Sequence, residues 1–547
     1  MTQALFVYKY KNDRSLGPAG GGGDPVRLYE RGVRRMLQLK DVSITYKKDL
    51  RVLISQLSLV LNPGDKAALI GEEGNGKSTL MKLIYDEGMV EDYIEFSGDI
   101  IRNGSVQGYL KQELDSGDKE MSVYEFMEQE PAFYDMDAKE LAGLAGKLGL
   151  SVEMLYSDQR VGTLSGGEKV KLQIIRILCR RPDVLLLDEP SNDIDLETLE
   201  WLERFINQWE GAVLFISHDE TFLERTANRI IHLEMLKKKR EPRHTISNTG
   251  YTEYIEMRGH QLEKQEQLAR KERSEYRAQQ ERFRRIQQKV EHQQNIITRQ
   301  DPHGGKLLKK KMKAVKSMEH RFEKDAADMT DMPETEEAIR FRFHGAHGIP
   351  QGKIVLEMKK EKLTAGGRLL SENIDFQVRG PQKVCIIGKN GVGKTTMLKR
   401  IAGLLLGRED IRAAYMPQDY KDRMDFDSTP AAFLTRTGDR EELTKIRTFL
   451  GSLKYTAEEM EHPIRELSGG QRAKLFLLGI SMHGANVLIL DEPTRNFSPL
   501  SNPVIRQMLK EFNGAVISVS HDRKYISEVC DTVYELTAEG CRKIEWN

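Results

Sequence analysis

Apolar residues follow three distinct patterns along the chain. Leu37-Gln38-Leu39 and Val42-Ser43-Ile44 alternate apolar and polar positions, the period of a strand with one buried face. Lys66-Ala67-Ala68-Leu69-Ile70, Val184-Leu185-Leu186-Leu187, Lys383-Val384-Cys385-Ile386-Ile387 and Val487-Leu488-Ile489-Leu490 are short, nearly unbroken apolar runs, as strands buried on both faces require. From Tyr254 to about Met332 the period changes again. Ala269, Tyr276, Phe283, Val290 and Ile297 recur every seven residues, and so do Leu308, Val315, Phe322 and Met329. The breaker Asp301-Pro302-His303-Gly304-Gly305 separates the two runs. A narrow apolar seam on each run, with a sharp turn between them, predicts an antiparallel helical hairpin.

The segments on either side of that hairpin repeat one another. Lys66–Ile70 leads into Gly71-Glu72-Glu73-Gly74-Asn75-Gly76-Lys77-Ser78-Thr79 and then the helical run Leu80-Met81-Lys82-Leu83-Ile84. Lys383–Ile387 leads into Gly388-Lys389-Asn390-Gly391-Val392-Gly393-Lys394-Thr395-Thr396. Strand, glycine loop and helix is the context that a phosphate-binding loop needs. Its N–H groups face phosphates, the lysine (Lys77, Lys394) supplies a point charge, and a hydroxyl such as that of Ser78 can ligate Mg²⁺. Leu164-Ser165-Gly166-Gly167-Glu168 matches Leu467-Ser468-Gly469-Gly470-Gln471, and Asp188-Glu189 matches Asp491-Glu492. The leucine precedes the aspartate by 24 positions in both halves (188 − 164; 491 − 467). His218 and His521 each follow it by 30 (218 − 188; 521 − 491). A lone histidine is more often a structural one, but a matched twin points to function. The spacing identifies a duplicated nucleotide-hydrolysis unit. Phosphoryl transfer to water needs positioning and charge neutralisation, for which a lysine with Mg²⁺, a carboxylate and a histidine are suited.

Composition sharpens this picture in two places. The formal net charge of the 547 residues is zero, yet basic residues crowd the hairpin: Arg282, Arg284, Arg285, Lys289, Arg299, Lys306, Lys309, Lys310, Lys311, Lys313, Lys316 and Arg321. Only Glu291, Asp301 and Glu319 oppose them between Arg282 and Arg321. A solvated spacer is the plain reading of such a run, but its one-signed charge is better explained by a polyanion, whose phosphates offset the self-repulsion. The four cysteines, Cys179, Cys385, Cys530 and Cys541, have no metal-ligand spacing, and no run of eighteen apolar residues exists. Residues 1–35, with four consecutive glycines, read as a flexible leader. The expected domains are a first unit at 36–240, a linker at 241–345 and a second unit at 346–547.

At these motifs the chain resembles the ATP-binding cassettes of the ABC superfamily. The fold class implied is α/β: two P-loop ATP-binding-cassette domains joined by an antiparallel α-helical hairpin linker. Gly71, Asn75, Gly76, Lys77, Ser78 and Thr79, and Gly388, Asn390, Gly391, Gly393, Lys394, Thr395 and Thr396, look like the Walker A residues that hold ATP. Asp188 and Asp491 resemble the aspartates holding Mg²⁺ together with Ser78 and Thr395. Glu189 and Glu492 resemble the bases that set the attacking water, with His218 and His521 as their catalytic partners. Gln112 and Gln418 look like the Q-loop glutamines near metal and water, and Tyr46 sits where the family stacks an aromatic ring on adenine. The second half has Thr364-Ala365-Gly366 there. The resemblance further implies that each site is completed from the other half. Ser165, Gly166 and Gly167 would face the second loop, and Ser468, Gly469 and Gly470 the first. After Glu189 the chain reads Pro190-Ser191-Asn192-Asp193-Ile194-Asp195, close to the family's D-loop; after Glu492 it reads Pro493-Thr494-Arg495-Asn496-Phe497-Ser498-Pro499, without the D-loop aspartate, which, with the absent aromatic, implies unequal sites.

Cassette, basic helical linker and cassette without membrane spans is similar to the ABC-F family, whose members act on ribosomes. The resemblance implies a cytoplasmic, monomeric ATPase whose ATP-closed form binds the 70S ribosome. The hairpin would enter the tRNA exit site toward the peptidyl-transferase centre, meeting 23S rRNA and P-site tRNA. The expected tip residues are Gln300, Pro302, His303, Gly304 and Lys306, and the expected phosphate contacts are Arg282, Arg285, Lys309, Lys310, Lys311 and Lys313. The short first-cassette arm and the wording around Thr494–Pro499 resemble antibiotic-resistance members. The alternatives are a general translation or stalled-ribosome factor, or, from another class, the ATPase subunit of a transporter or DNA-repair system.

Overall fold

The computed structural model describes residues 37–236, 241–296, 309–315, 317, 329–333 and 348–546. The chain divides into two compact units. One is built from both cassette-like halves, up to Tyr251 and from Glu336 onward; the other is Thr252–Thr335. The leader 1–35 and the tip residues Gln300, Pro302, His303, Gly304 and Lys306 lie outside the described residues.

The first half starts with strand Leu37–Tyr46, in which the two alternating runs of the sequence become one strand. The pairing register with Val52–Leu61 shifts between Leu39 and Val42, and Asp41 takes a left-handed φ of 48°. That bulge inserts the extra residue that lets Leu37, Leu39, Val42 and Ile44 all face inward. Strand Lys66–Ile70 is fully buried and lies between the parallel strands Ala212–Ile216 and Arg229–Leu236. The six-stranded order is Gln107–Leu110, Val184–Asp188, Ala212–Ile216, Lys66–Ile70, Arg229–Leu236 and Glu241–Ser247. The last strand was expected to open the linker. It instead pairs antiparallel with Arg229–Leu236 along its whole length, so the boundary moves from 240 to about 251. Its polar sequence conceals this, because an edge strand has only one covered side.

The second half repeats the parallel core. Lys383–Ile387 lies between Ala515–Val519 and Thr532–Leu536, with Val487–Asp491 next outward. In both halves the phosphate loop, the Asp-Glu pair and the histidine sit at the carboxyl ends of adjacent parallel strands, where such sheets gather their chemistry.

The two halves meet in one unit through a cluster of charges. Arg506 of the second half donates to both oxygens of Glu220 in the first, and its Nε donates to Glu528 at 2.8 Å. Lys524 donates to Glu220 and Glu224 at 3.2 and 2.6 Å, and Arg523 to Glu203. Arg506 and Glu220 are only 4% and 5% exposed, so each depends on the other.

The second unit carries the 46-residue helix Tyr251–Ile296, about 70 Å long at 1.5 Å per residue. Val290 packs against Val315, with Phe283 and Met312 beside them. Gln265 Nε2 donates to the Asp331 carbonyl at 3.0 Å, and the Thr330 N–H to Glu272 at 2.7 Å. Low residue numbers pair with high ones, which is the antiparallel return that the seam predicts. No helix among the described residues is long and apolar enough to cross a membrane.

Replacing Arg506 by Met leaves the buried Glu220 carboxylate with Lys524 alone of its two cationic partners. It is expected to cost about 3–5 kcal/mol in denaturant unfolding. The double variant Arg506→Met/Glu220→Gln is expected to recover most of that loss.

Candidate nucleotide-hydrolysis sites

The first glycine of each loop is fixed by close approach. Gly71 has φ +142°, and a Cβ there would lie 2.2 Å from the Leu233 carbonyl oxygen; at Gly388, φ +152°, it would lie 2.5 Å from that of Leu536. Helices Lys77–Tyr85 and Lys394–Leu405 begin directly after Gly76 and Gly393, so their first-turn N–H groups, with those of Ser78, Thr79, Thr395 and Thr396, crown the loops. Lys77 Nζ donates to the carbonyls of Gly71 and Glu72 at 2.8 and 2.9 Å; Lys394 Nζ donates to those of Gly388 and Lys389 at 2.8 and 3.1 Å. Asn75 ties its loop to Leu233 at 2.9 Å. Tyr46 stands 6.2 Å, centroid to centroid, from Tyr93, which hydrogen-bonds to Thr79. The turn Thr364–Gly366 offers no such ring at the second site.

Ser78 Oγ donates to Asp188 Oδ1 at 3.0 Å, and the Tyr109 hydroxyl to Oδ2 at 3.2 Å. Thr395 hydrogen-bonds Asp491, whose Oδ2 is buried without a hydrogen-bond partner among the described residues. A hydroxyl beside a carboxylate with oxygen lone pairs to spare suits a hard divalent cation, so these residues fit Mg²⁺. Burial and the charge of Glu189 push Asp188 up to about 6, against the hydrogen bonds from Ser78 and Tyr109. Gln112 Nε2 donates to Glu189 Oε2 at 2.8 Å, but Gln418 Nε2 reaches Asp193 of the other half at 3.3 Å.

Glu189 and Glu492 both hold a left-handed backbone, φ 49° and 52°, which a non-glycine residue keeps only when its surroundings impose it. Their electrostatics differ. His218 Nε2 lies 3.3 Å from Glu189, and Asn192 donates to the same carboxylate. Burial works against the Glu189 charge, but His218, Lys77 and Asn192 outweigh it and hold the carboxyl at about 2. At the second site His521 Nε2 is 3.9 Å from Glu492, and its Nδ1 is buried without a hydrogen-bond partner among the described residues. Burial and the Asp491 charge push Glu492 up to about 8, while burial and Lys394 press His521 down to about 4.

The glycine-rich pairs meet the opposite loops. Ser165 and Ser468 cap helices Gly166–Cys179 and Gly469–Met482, each in a reciprocal capping box with Glu168 or Gln471. A Cβ on Gly166 would lie 1.8 Å from the Asp193 carbonyl oxygen and 3.3 Å from Asn390 Nδ2 of the second loop. The Gly470 N–H donates to Glu73 of the first loop at 2.6 Å. His218 Nδ1 is 2.8 Å from the Phe497 carbonyl oxygen, again across the halves. The sequence marks Arg495 only as part of the departure after Glu492 and gives it no partner. The guanidinium grips Asp193 at 2.7 and 2.9 Å, while Asn390 Nδ2 donates to the Asp193 carbonyl at 2.6 Å. The signal was the unusual wording after Glu492, where Arg495 stands opposite Asn192 of the first repeat.

These environments predict opposite stability effects of the two glutamines in nucleotide-free protein. The depressed Glu189 pKa contributes stability that is present above the unfolded value near 4.3 and lost as pH falls toward about 2. Glu189→Gln therefore lowers the thermal unfolding temperature at neutral pH. The raised Glu492 pKa costs stability as pH climbs from about 4.3 to about 8, because the unfolded chain sheds the proton first. Glu492→Gln is expected to raise the unfolding temperature, and more at pH 8 than at pH 5.

The ABC transporter family matches residues 54–192 and 371–495. The ATP-binding protein Uup of Escherichia coli (strain K12) is 30% identical over 517 residues, covering 87% of this chain and 76% of Uup. ABC transporter F family member 5 of Arabidopsis thaliana is 24% identical over 568 residues, covering 93% of this chain and 76% of that protein. A solved complex of the archaeal ribosomal stalk protein aP1 with the archaeal ribosome recycling factor aABCE1 shares the fold. Its TM-score is 0.57 at 18% identity, over 92% of this chain and 89% of that one. Two matched P-loop sites, each closed by the other half, together with these relatives, place the chain among the ATP-hydrolysing cassette proteins, and it belongs to the ABC-F family.

Proposed function

We propose that this ABC-F ATPase binds the 70S ribosome when ATP closes its two halves, and leaves when hydrolysis reopens them. Lys77 and Lys394 neutralise the phosphates; Ser78 and Asp188 at one site, and Thr395 and Asp491 at the other, would hold Mg²⁺, which when bound would supply further neutralisation of phosphate charge. Glu189 orients the attacking water and accepts its proton, with His218 aligning it; Glu492, whose carboxyl keeps its proton near neutral pH in the nucleotide-free chain, takes the same role with His521 only once that proton is lost, and Gln112 and Gln418 frame the metal edge. The solved structure with the shared fold contains a ribosome recycling factor, which supports a ribosomal partner.

The observation that carries the reading is the second unit. Its long helix Tyr251–Ile296 and the helical stretch 309–315 expose Arg282, Arg285, Lys309, Lys310, Lys311 and Lys313 beside a narrow apolar seam. Exposed arginines and lysines at this density suit RNA phosphates, which they bind through counterion release. The hairpin enters the tRNA exit site, with Gln300, Pro302, His303, Gly304 and Lys306 nearest P-site tRNA and 23S rRNA, and guards the peptidyl-transferase centre against antibiotics. The protein works as a cytoplasmic monomer.

The double variant Glu189→Gln/Glu492→Gln is expected to co-sediment with 70S ribosomes in the presence of ATP and to lose that association without it. Adding Lys309→Ala, Lys310→Ala and Lys311→Ala is expected to flatten the salt dependence by about three phosphate contacts. Free sedimentation of the trapped variant overturns the ribosomal assignment. For protection, expression in a drug-sensitive host should raise the inhibitory concentration of at least one drug acting at the peptidyl-transferase centre. An unchanged panel, with ribosome trapping intact, points instead to a general translation or stalled-ribosome factor.

A further inference from the structure

The two composite sites differ at one loop position that faces the other half. Glu73 and Asn390 are the third residues of their loops, counted from Gly71 and Gly388. Asn390 is a neutral amide: its Nδ2 donates to the Asp193 carbonyl at 2.6 Å, and its Oδ1 lies 3.4 Å from Lys394 Nζ. Glu73 carries a carboxylate, and its Oε2 accepts the Gly470 N–H at 2.6 Å. A Cβ on Gly469 would stand 3.2 Å from the same oxygen. Gly469 and Gly470 open a 14-residue helix, so the carboxylate rests on a strongly polarised helix end. Beside it, Glu72 accepts from Lys474 of that helix at 3.3 Å. At the second site the charges are reversed, with Lys389 of the loop 2.9 Å from Glu197 of the first half.

The first loop and this helix end face each other through Glu73 and Gly470, so the outermost group of a phosphate chain held by that loop and Lys77 would meet this helix end. The N–H donors there are the natural mates of that group's oxygens. We propose that Glu73 is the specificity-determining residue of the first ATP site, a resident anion that occupies the Gly470 N–H and that the terminal phosphate of ATP must displace. ADP has no group reaching across and leaves the carboxylate in place. The first site thus closes on itself without nucleotide and opens to ATP only above a threshold. The second, with Asn390, has no such competitor.

The test uses the full-length chain with one loop disabled at a time. In a Lys394→Ala background, which silences the second site, a fluorescent non-hydrolysable ATP analogue and fluorescent ADP are titrated with Mg²⁺. Glu73→Asn and Glu73→Gln are expected to tighten the ATP analogue by roughly tenfold, the scale of one charge-assisted hydrogen bond, with ADP affinity little changed. In a Lys77→Ala background the reciprocal Asn390→Glu is expected to weaken the ATP analogue at the second site by a similar factor, again sparing ADP. Intact ADP binding shows that each variant is folded. Equal changes for both nucleotides, or no change for either, overturn the assignment.

Discussion

The structure depends on a shared shortage of negative charge at each seam between its halves. On one side lie a glycine loop, a helix start and a lysine; on the other lies the N-terminus of a helix capped by Ser165 or Ser468. Both sides present N–H groups that favour an anion. On the reading proposed above, a bound triphosphate would meet both demands at once, which would place each site between the halves rather than within one. Where the chain does supply an anion, at Glu73 on Gly470, it takes the place of that shared mate.

The remaining cross-half contacts hold the loops in register for this encounter. Asp193 is the central node: its carbonyl meets Asn390, and its carboxylate meets Arg495 and Gln418 of the second half. The first site uses a different device, in which His218 contacts both Glu189 and the Phe497 carbonyl oxygen. A buried ionic cluster around Arg506 and Glu220 ties the halves together elsewhere. It links them without contributing to either loop.

Duplication has therefore preserved motif and spacing while letting electrostatics diverge. Glu189 is paired with a histidine and held ionised; Glu492 sits beside Asp491 with a more distant histidine and resists ionisation. The departures in sequence, Arg495 and Asn496 after one glutamate against Asn192 and Asp193 after the other, signal the inequality. They do not say what it consists of. Its content comes from distances of a few tenths of an ångström within a low-dielectric interior, where such differences count most.

Local pattern by itself determined the repeated strand–loop–helix units, the candidate residues for phosphate, metal and water, and the seam of the hairpin. Those features depend on residues near one another in the chain: a buried run, a glycine turn, a seven-residue period. The capping boxes at Ser165–Glu168 and Ser468–Gln471 are local in the same sense, but it was the structure that showed them. Tertiary structure alone decided that Glu241–Ser247 completes a sheet, that Arg495 finds Asp193, that Tyr109 serves Asp188 and that Glu73 reaches Gly470. Asp193 and Arg495 are 302 residues apart and Glu73 and Gly470 are 397 apart, so no local periodicity connects them. They become neighbours only when the two halves close, because a charge or an edge strand is satisfied by whatever the fold brings to it.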